Sequence, residues 1–325
     1  MTRPRSKCYL VTGAAGFIGS RMVEFCNQNS IHLVSVDEES CFYTRPQLQG
    51  LDFGTIVDRD SLFTFLDGKR FDAIIHLGAI TDTRESDLNL LNRLNLEYSQ
   101  KLWNFSAREK IPFVYASSAA TYGDGENGYD DDESRISVLK PLNAYGDSKQ
   151  KFDLWALDQE KQGNVPPSWA GFKFFNVYGF GENHKEFMSS VVLHAFQQII
   201  DKGQVTLFKS HKEGIADGHQ KRDFVSVLDV VRVLQFAVEK PIPRGIYNLG
   251  TGQARTFLDL ARAVFAAMGK SENIVFRDTP LSIRDKYQYF TEAKMDRLRA
   301  QGYNVPFVSL EEGVKQYIAR LVAKI

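Results

Sequence analysis

The run from Tyr9 to Gly19, YLVTGAAGFIG, constrains the fold more than any other part of the chain. The strand-forming residues Tyr9, Leu10, Val11 and Thr12 lead into Gly13, Gly16 and Gly19. An amphipathic stretch follows from Phe17 to about Asn27. This order predicts a strand, a tight turn and a helix N-terminus. The glycines let the backbone approach a pyrophosphate, and the helix end offers free N–H groups and a partial positive charge. A second apolar run, residues 32–36, ends in Asp37, at the separation from the glycines expected of a ribose ligand. The chain is therefore expected to open as a βαβ unit holding a dinucleotide. Asp37 and Glu38 repel a 2′-phosphate and favour NAD, whereas Arg45 and Arg59 are placed to attract one. The residues leave NAD and NADP both open.

Strand and helix patterns keep alternating through the first half. Short apolar runs at 73–77, 113–117 and 169–175 read as strands of a parallel sheet buried on both faces. Residues 88–110 read as one long helix, ended by Ile111-Pro112, and 144–160 as another. Further on, helices are expected at 188–202, 228–239, 257–268, 292–300 and 310–322, with strands at 205–208, 224–226 and 245–249. The fold class is α/β: a doubly wound parallel sheet of Rossmann type with a smaller C-terminal substrate-binding lobe. Residues 1–176 plus about 224–250 form the expected dinucleotide-binding domain, and 177–223 plus 251–325 the expected lobe. The acidic segment 124–134, with four aspartates and two glutamates, reads as a solvated loop near the site entrance.

Tyr145 and Lys149 are four residues apart and share one face of the helix expected at 144–160. An ammonium in that position favours the phenolate over the phenol and draws the tyrosine toward working pH. Ser118, at the end of an expected strand, supplies a hydroxyl to hold a reacting oxygen. With a hydride acceptor alongside, such a group moves a proton to or from an alcohol. A non-catalytic dinucleotide sensor would have no need of Tyr145, Lys149 and Ser118 together. Lys185 follows His184 after the last strand of the sheet and would act as a second acid/base from the other side. Arg222, at a strand start, suits a diphosphate unless it pairs with Asp223.

Forty basic and forty acidic residues cancel, which excludes nucleic-acid binding by bulk charge. Cys8, Cys26 and Cys41 have no metal-ligand or disulfide spacing, so no metal is expected and a reducing, cytoplasmic setting is. No apolar run is long enough to span a membrane, and the basic residues near the N-terminus precede no clear cleavage region.

These residues resemble the extended short-chain dehydrogenase/reductases over essentially the whole chain. Within them the chain is similar to the nucleotide-sugar epimerases that act on ADP-activated heptose for lipopolysaccharide. The resemblance is carried by Tyr115–Gly123 (YASSAATYG), by Phe174–Gly179 (FFNVYG) with His184-Lys185, by Lys221–Val225 (KRDFV) and by Tyr287–Thr291 (YQYFT). Dehydratases of similar layout carry an acid pair where this chain has Ala119 and Ala120. Loss of water is thereby disfavoured, and epimerisation or simple oxidation favoured. A hexose 4-epimerase remains the rival within the class.

The resemblance implies one tightly bound NADP or NAD per subunit, a nucleotide-sugar substrate and a homo-oligomer, pentameric in the family. Tyr145 and Lys185 would be the two acid/bases, assisted by Ser118 and Lys149. Gly13, Gly16, Phe17, Ile18, Gly19, Asp37, Glu38, Arg59, Leu77, Gly78, Ala79, Ile80, Thr81, Asn95 and Val177 would line the dinucleotide with Tyr145 and Lys149. Asn176, His194, Phe208, Lys209, Ser210, His211, Arg222 and Tyr287 would contact the sugar nucleotide with Ser118 and Lys185. The chain departs from the family pattern at Glu186 and Phe187, where small residues are usual, and at Asp285-Lys286, where Gly-Arg is usual. It also lacks the family's usual lysine after Asp37.

Overall fold

A computed structural model of the chain describes residues 6–240, 242–284 and 287–323. Asp285 and Lys286 lie outside the described residues. The frame is a sheet of seven parallel strands: β1 (Cys8–Thr12), β2 (His32–Asp37), β3 (Thr55–Asp58), β4 (Ala73–His76), β5 (Phe113–Ser118), β6 (Trp169–Phe174) and, much later in the chain, β10 (Gly245–Leu249). Their order is β10-β6-β5-β4-β1-β2-β3. The chain reverses direction across the sheet between β1 and β4, and doubly wound folds bind ligands at that point. Every residue of β4, β6 and β10 is buried, which is why their sequences are nearly unbroken apolar runs. Each large aliphatic side chain so buried, such as Ile74 or Ile75, contributes roughly 1.5–3 kcal/mol. Trp103 anchors the helix layer, with its ring edge-on to Trp169 at 5.0 Å.

The second hydrophobic cluster is separate. It joins the helices Val191–Lys202, Phe257–Ala267 and Leu310–Val322 with Tyr178, Phe224, Val205 and Leu207. Around it lie two small sheets. One holds β7 (Asn176–Tyr178), β9 (Lys221–Ser226) and β11 (Ala254–Thr256); the other pairs β8 (Val205–Phe208) with β12 (Ile274–Arg277). Ala293, Met295, Leu298 and Tyr303 pack into the first core, although the expected boundary grouped them with the second.

Local differences from expectation have identifiable causes. The helix read at 88–110 changes winding to a π turn over Asn92–Glu97, between Leu88–Leu91 and Tyr98–Glu109. The helix read at 188–202 starts at Val191, because Ser190 caps it by accepting from the Leu193 amide and Asn183–Met188 forms tight 3₁₀ turns instead. The helix read at 292–300 is shortened to Asp296–Ala300.

The acidic segment 124–134 is not merely solvated. β10 is an edge strand, so its outward amides lack a neighbouring strand. Asp131 accepts from the Asn248 amide at 2.8 Å and Glu133 from the Ile246 amide at 2.9 Å. Arg297 holds both acids in place, binding the Glu133 carboxylate at 2.6 Å and the Asp131 carbonyl at 3.0 Å.

Candidate active site

Two adjoining clefts open at the carboxyl ends of the central strands. The smaller, about 630 Å³, is lined by Thr12, Gly13, Gly16, Phe17, Ile18 and Gly19 of the first turn, by Asp37 and Glu38 after β2, and by Leu77–Thr81 after β4. Gly13 has φ +68°, and a Cβ there would press to 2.7 Å from the Gly78 amide nitrogen. A Cβ on Gly19 would run into the Gly13 carbonyl. Only glycines close this turn, and no side chain caps the amides of the helix Phe17–Gln28 that begins there. Its first turn contains no acid. The amides and dipole are therefore available to an anion.

Asp37 anchors the cleft's far end, with one oxygen on the Ala15 amide (3.0 Å) and the other on the Glu38 amide (2.9 Å). Burial nevertheless pushes its pKa up. Arg59 lies at the same rim but is engaged by Glu38 at 3.2 Å. Arg45 faces the cleft too and donates to the Ala15 carbonyl (2.7 Å).

The larger cleft, about 880 Å³, continues from the first past Phe17, Ile18, Leu77 and Lys185. Ser118, Tyr145 and Lys149 face it from one side. Ser118 ends β5, and Asn143 starts the helix of Tyr145 and Lys149, Ala144–Gln162, by accepting from the Gly146 amide at 2.8 Å. Lys149 is buried and donates to the Ala116 carbonyl (2.9 Å). Burial pulls its ammonium down to about 8, with Asp153 opposing. The Tyr145 phenol is raised by burial, opposed by a hydrogen bond from Ser118. The four-residue spacing of Tyr145 and Lys149 predicts a lowered phenol pKa. Here desolvation dominates, and the Lys149 ammonium's hydrogen bond goes to the Ala116 carbonyl.

Asp153 organises the floor beneath. Its carboxylate accepts from Tyr115 (2.9 Å), Ser117 (2.7 Å) and Lys173 (2.6 Å), all buried. Lys173 also reaches Thr121 at 2.7 Å, which fixes the segment presenting Ser118.

The same cleft is also lined by Lys185, Asn176, Val177, His194, Phe208, Arg222 and Tyr287. Burial lowers the Lys185 pKa, and the buried acid Glu182 opposes it. The two β9 neighbours Arg222 and Asp223 point to opposite faces. Asp223 accepts from the amides of Thr251 (2.7 Å), Gly252 (2.9 Å) and Ala293 (3.1 Å), which excludes the alternative of an Arg222–Asp223 ion pair. Arg222 sits between the Phe257 and Tyr287 rings, 5.5 and 5.6 Å from their centroids. Among the described residues no carboxylate pairs with it.

Four expected contact residues line neither cleft. Asn95 is buried behind the wall, where its carboxamide grips both the amide (2.8 Å) and the carbonyl (3.0 Å) of Ile80. The π turn rotates it there, so it shapes the 77–81 loop rather than touching a ligand. Lys209 leans toward Asp278 (3.5 Å), the Ser210 hydroxyl donates to the Lys212 carbonyl (3.2 Å), and the His211 ring accepts from the Thr279 amide (3.1 Å). Cleft residues overlooked in the sequence include Glu182, Gln220 and Arg277. Arg277 lies at the end of β12 and stacks over Phe208 at 4.9 Å. The apolar run Ile274-Val275-Phe276 before it was the available signal.

With this geometry in place, residues 9–250 match the model of the NAD dependent epimerase/dehydratase family. The chain belongs to this family. The ADP-L-glycero-D-manno-heptose-6-epimerase of Fusobacterium nucleatum subsp. nucleatum is 44% identical over 97% of this chain and 98% of its own length. The protein of the same name from Nitratidesulfovibrio vulgaris is 43% identical over 97% and 98%. Among solved structures, the ADP-L-glycero-D-manno-heptose-6-epimerase of Helicobacter pylori superposes with a TM-score of 0.79 at 24% identity, covering 98% of this chain and 97% of that one. The glycine turn, the uncapped helix amides and the acid after β2 fit an NAD(P) cofactor in the smaller cleft. Among the described residues no cluster suited to a metal occurs, and no helix is long and apolar enough to cross a membrane.

Proposed function

We propose that the chain inverts C6″ of ADP-D-glycero-D-manno-heptose, giving the L-glycero epimer for lipopolysaccharide, with NAD(P) bound in the smaller cleft. The observation that carries this reading is that Tyr145 and Lys185 line one cleft from separate elements. Full-length relatives carrying that activity in their names support it. The bound dinucleotide supplies a reversible hydride acceptor. Tyr145 takes the proton from the sugar hydroxyl as the carbon is oxidised, Ser118 holds the oxygen, and Lys149 supports the phenolate. The keto sugar then presents its other face, and Lys185 returns a proton from the second wall. Ala119 and Ala120 offer no acid for loss of water, which favours epimerisation over dehydration.

The second lobe holds the nucleotide-diphosphate end in this reading, with Arg222 on the diphosphate. The chain works as a cytoplasmic homo-oligomer, and light scattering of the purified protein tests the assembly. The activity is tested by proton NMR of ADP-D-glycero-D-manno-heptose incubated with the enzyme and compared with UDP-glucose and UDP-galactose. Inversion of the ADP-heptose alone is expected. Turnover of a UDP-hexose without it would overturn the reading.

A further inference from the structure

The strap from Asn183 to Met188 crosses between the two clefts, and three of its residues, Lys185, Phe187 and Met188, line both. Lys185 is accounted for above. Phe187 is not: it is a large apolar side chain left 51% exposed at the junction.

Its position is imposed rather than incidental. Glu186 just before it has φ +48° and ψ −122°, a conformation that costs a non-glycine residue about 1–3 kcal/mol and persists only where the surroundings hold it. They do so on both sides. The Lys185 amide donates to the Glu182 carbonyl (2.9 Å), the Ser189 amide to the Glu186 carbonyl (3.0 Å), and the His194 ring bonds the Phe187 carbonyl at 3.2 Å.

Contacts then cross the opening from the loop that follows Leu77–Thr81. The Arg84 guanidinium lies 3.4 Å from the centre of the Phe187 ring, held by two bonds to the Asp82 carboxylate (3.0 and 3.2 Å). The Thr83 hydroxyl reaches the Met188 sulfur at 3.9 Å. A molecule touching both the Gly13 turn and Tyr145 has to occupy the junction these contacts close over.

We infer that Phe187, positioned by Arg84, is a cofactor-retaining residue: the pair closes the junction of the two clefts and slows release of the bound dinucleotide. This rests on the reading that the smaller cleft holds NAD(P). Phe187 acts on the cofactor directly, and Arg84 acts through Phe187.

The test needs no turnover. The purified protein is loaded separately with NAD and with NADP, and release after dilution is followed by rapid ultrafiltration and absorbance. Phe187→Ala and Arg84→Ala are expected to release the tighter-bound dinucleotide about two- to fivefold faster, the scale of an exposed cation–π contact. Phe187→Tyr and Arg84→Lys, which keep ring and charge, should stay near the parent rate. Thermal midpoints should not move with Arg84→Ala, because that side chain is exposed. Unchanged release in both alanine variants, or release from Phe187→Tyr as fast as from Phe187→Ala, overturns the proposal. If the parent protein retains neither NAD nor NADP, the cofactor reading fails and takes this proposal with it.

Discussion

The smaller cleft meets its ligand chiefly with main chain: glycine turns, helix amides and a loop held by Asn95 from behind. The larger cleft presents long side chains instead, Lys185, Arg222, Arg277 and Tyr287, from elements far apart in the chain. Backbone sites depend on close approach and tolerate little change at the glycines, yet any dinucleotide phosphate satisfies them. Side-chain sites can be retuned one residue at a time. In the proposed function the backbone-lined cleft holds the cofactor, and the side-chain-lined cleft both carries the acid/base pair and selects the substrate.

The largest expected effect lies in the larger cleft. Tyr145→Phe should lower kcat about 10⁴-fold, the upper range of a general base, with dinucleotide affinity unchanged. Steady-state kinetics and a cofactor titration check this together. Loss of both would mean that the two clefts do not act separately.

The next tests the backbone side alone. His76 is buried at the end of β4, its ring bonded to Thr12 (2.6 Å) and Ser99 (2.8 Å), and burial pulls its pKa down to about 3. The folded state binds fewer protons than the unfolded chain, so this group's contribution is complete above about pH 6.5 and is lost as pH falls toward 3. Over that window the loss should reach roughly 4 kcal/mol. Denaturant unfolding from pH 7 to 4 should therefore show a shallower decline in His76→Gln than in the parent.

Arg222→Met addresses the side-chain wall. Its substrate KM should rise roughly ten- to a hundredfold with kcat little changed and cofactor release unaffected, and lysine should restore only part of the loss. A matching fall in cofactor affinity would break the division between the walls. Smallest of all, Glu186→Gly should raise stability by up to about 1 kcal/mol, read as a higher thermal midpoint, because glycine accepts the positive φ.

The same division governs how much could be read in advance. Gly13, Gly16 and Gly19 with Asp37 disclosed the first cleft because backbone constraints leave residue types at fixed spacing. Tyr145 and Lys149 were legible because one helix carries both. Arg277 was missed because β12 is a four-residue strand paired with β8, and the short apolar run Ile274-Val275-Phe276 does not show which cleft its end reaches. Lys209, Ser210 and His211 look like ligands in sequence, but the structure satisfies them among nearby groups at the lobe's rim. Asn95 was legible as important and misread in role, since the π turn that aims it has no sequence signature. The burial around Tyr145 was not legible, because spacing reveals a neighbouring charge but not the desolvation that raises the phenol.

The carboxylates on β10 carry a consequence of their own. With the Ile246 and Asn248 amides already taken, this margin of the sheet offers a neighbouring strand fewer free donors. Asp131 and Glu133 thus blunt an edge that would otherwise present free donors to a second chain.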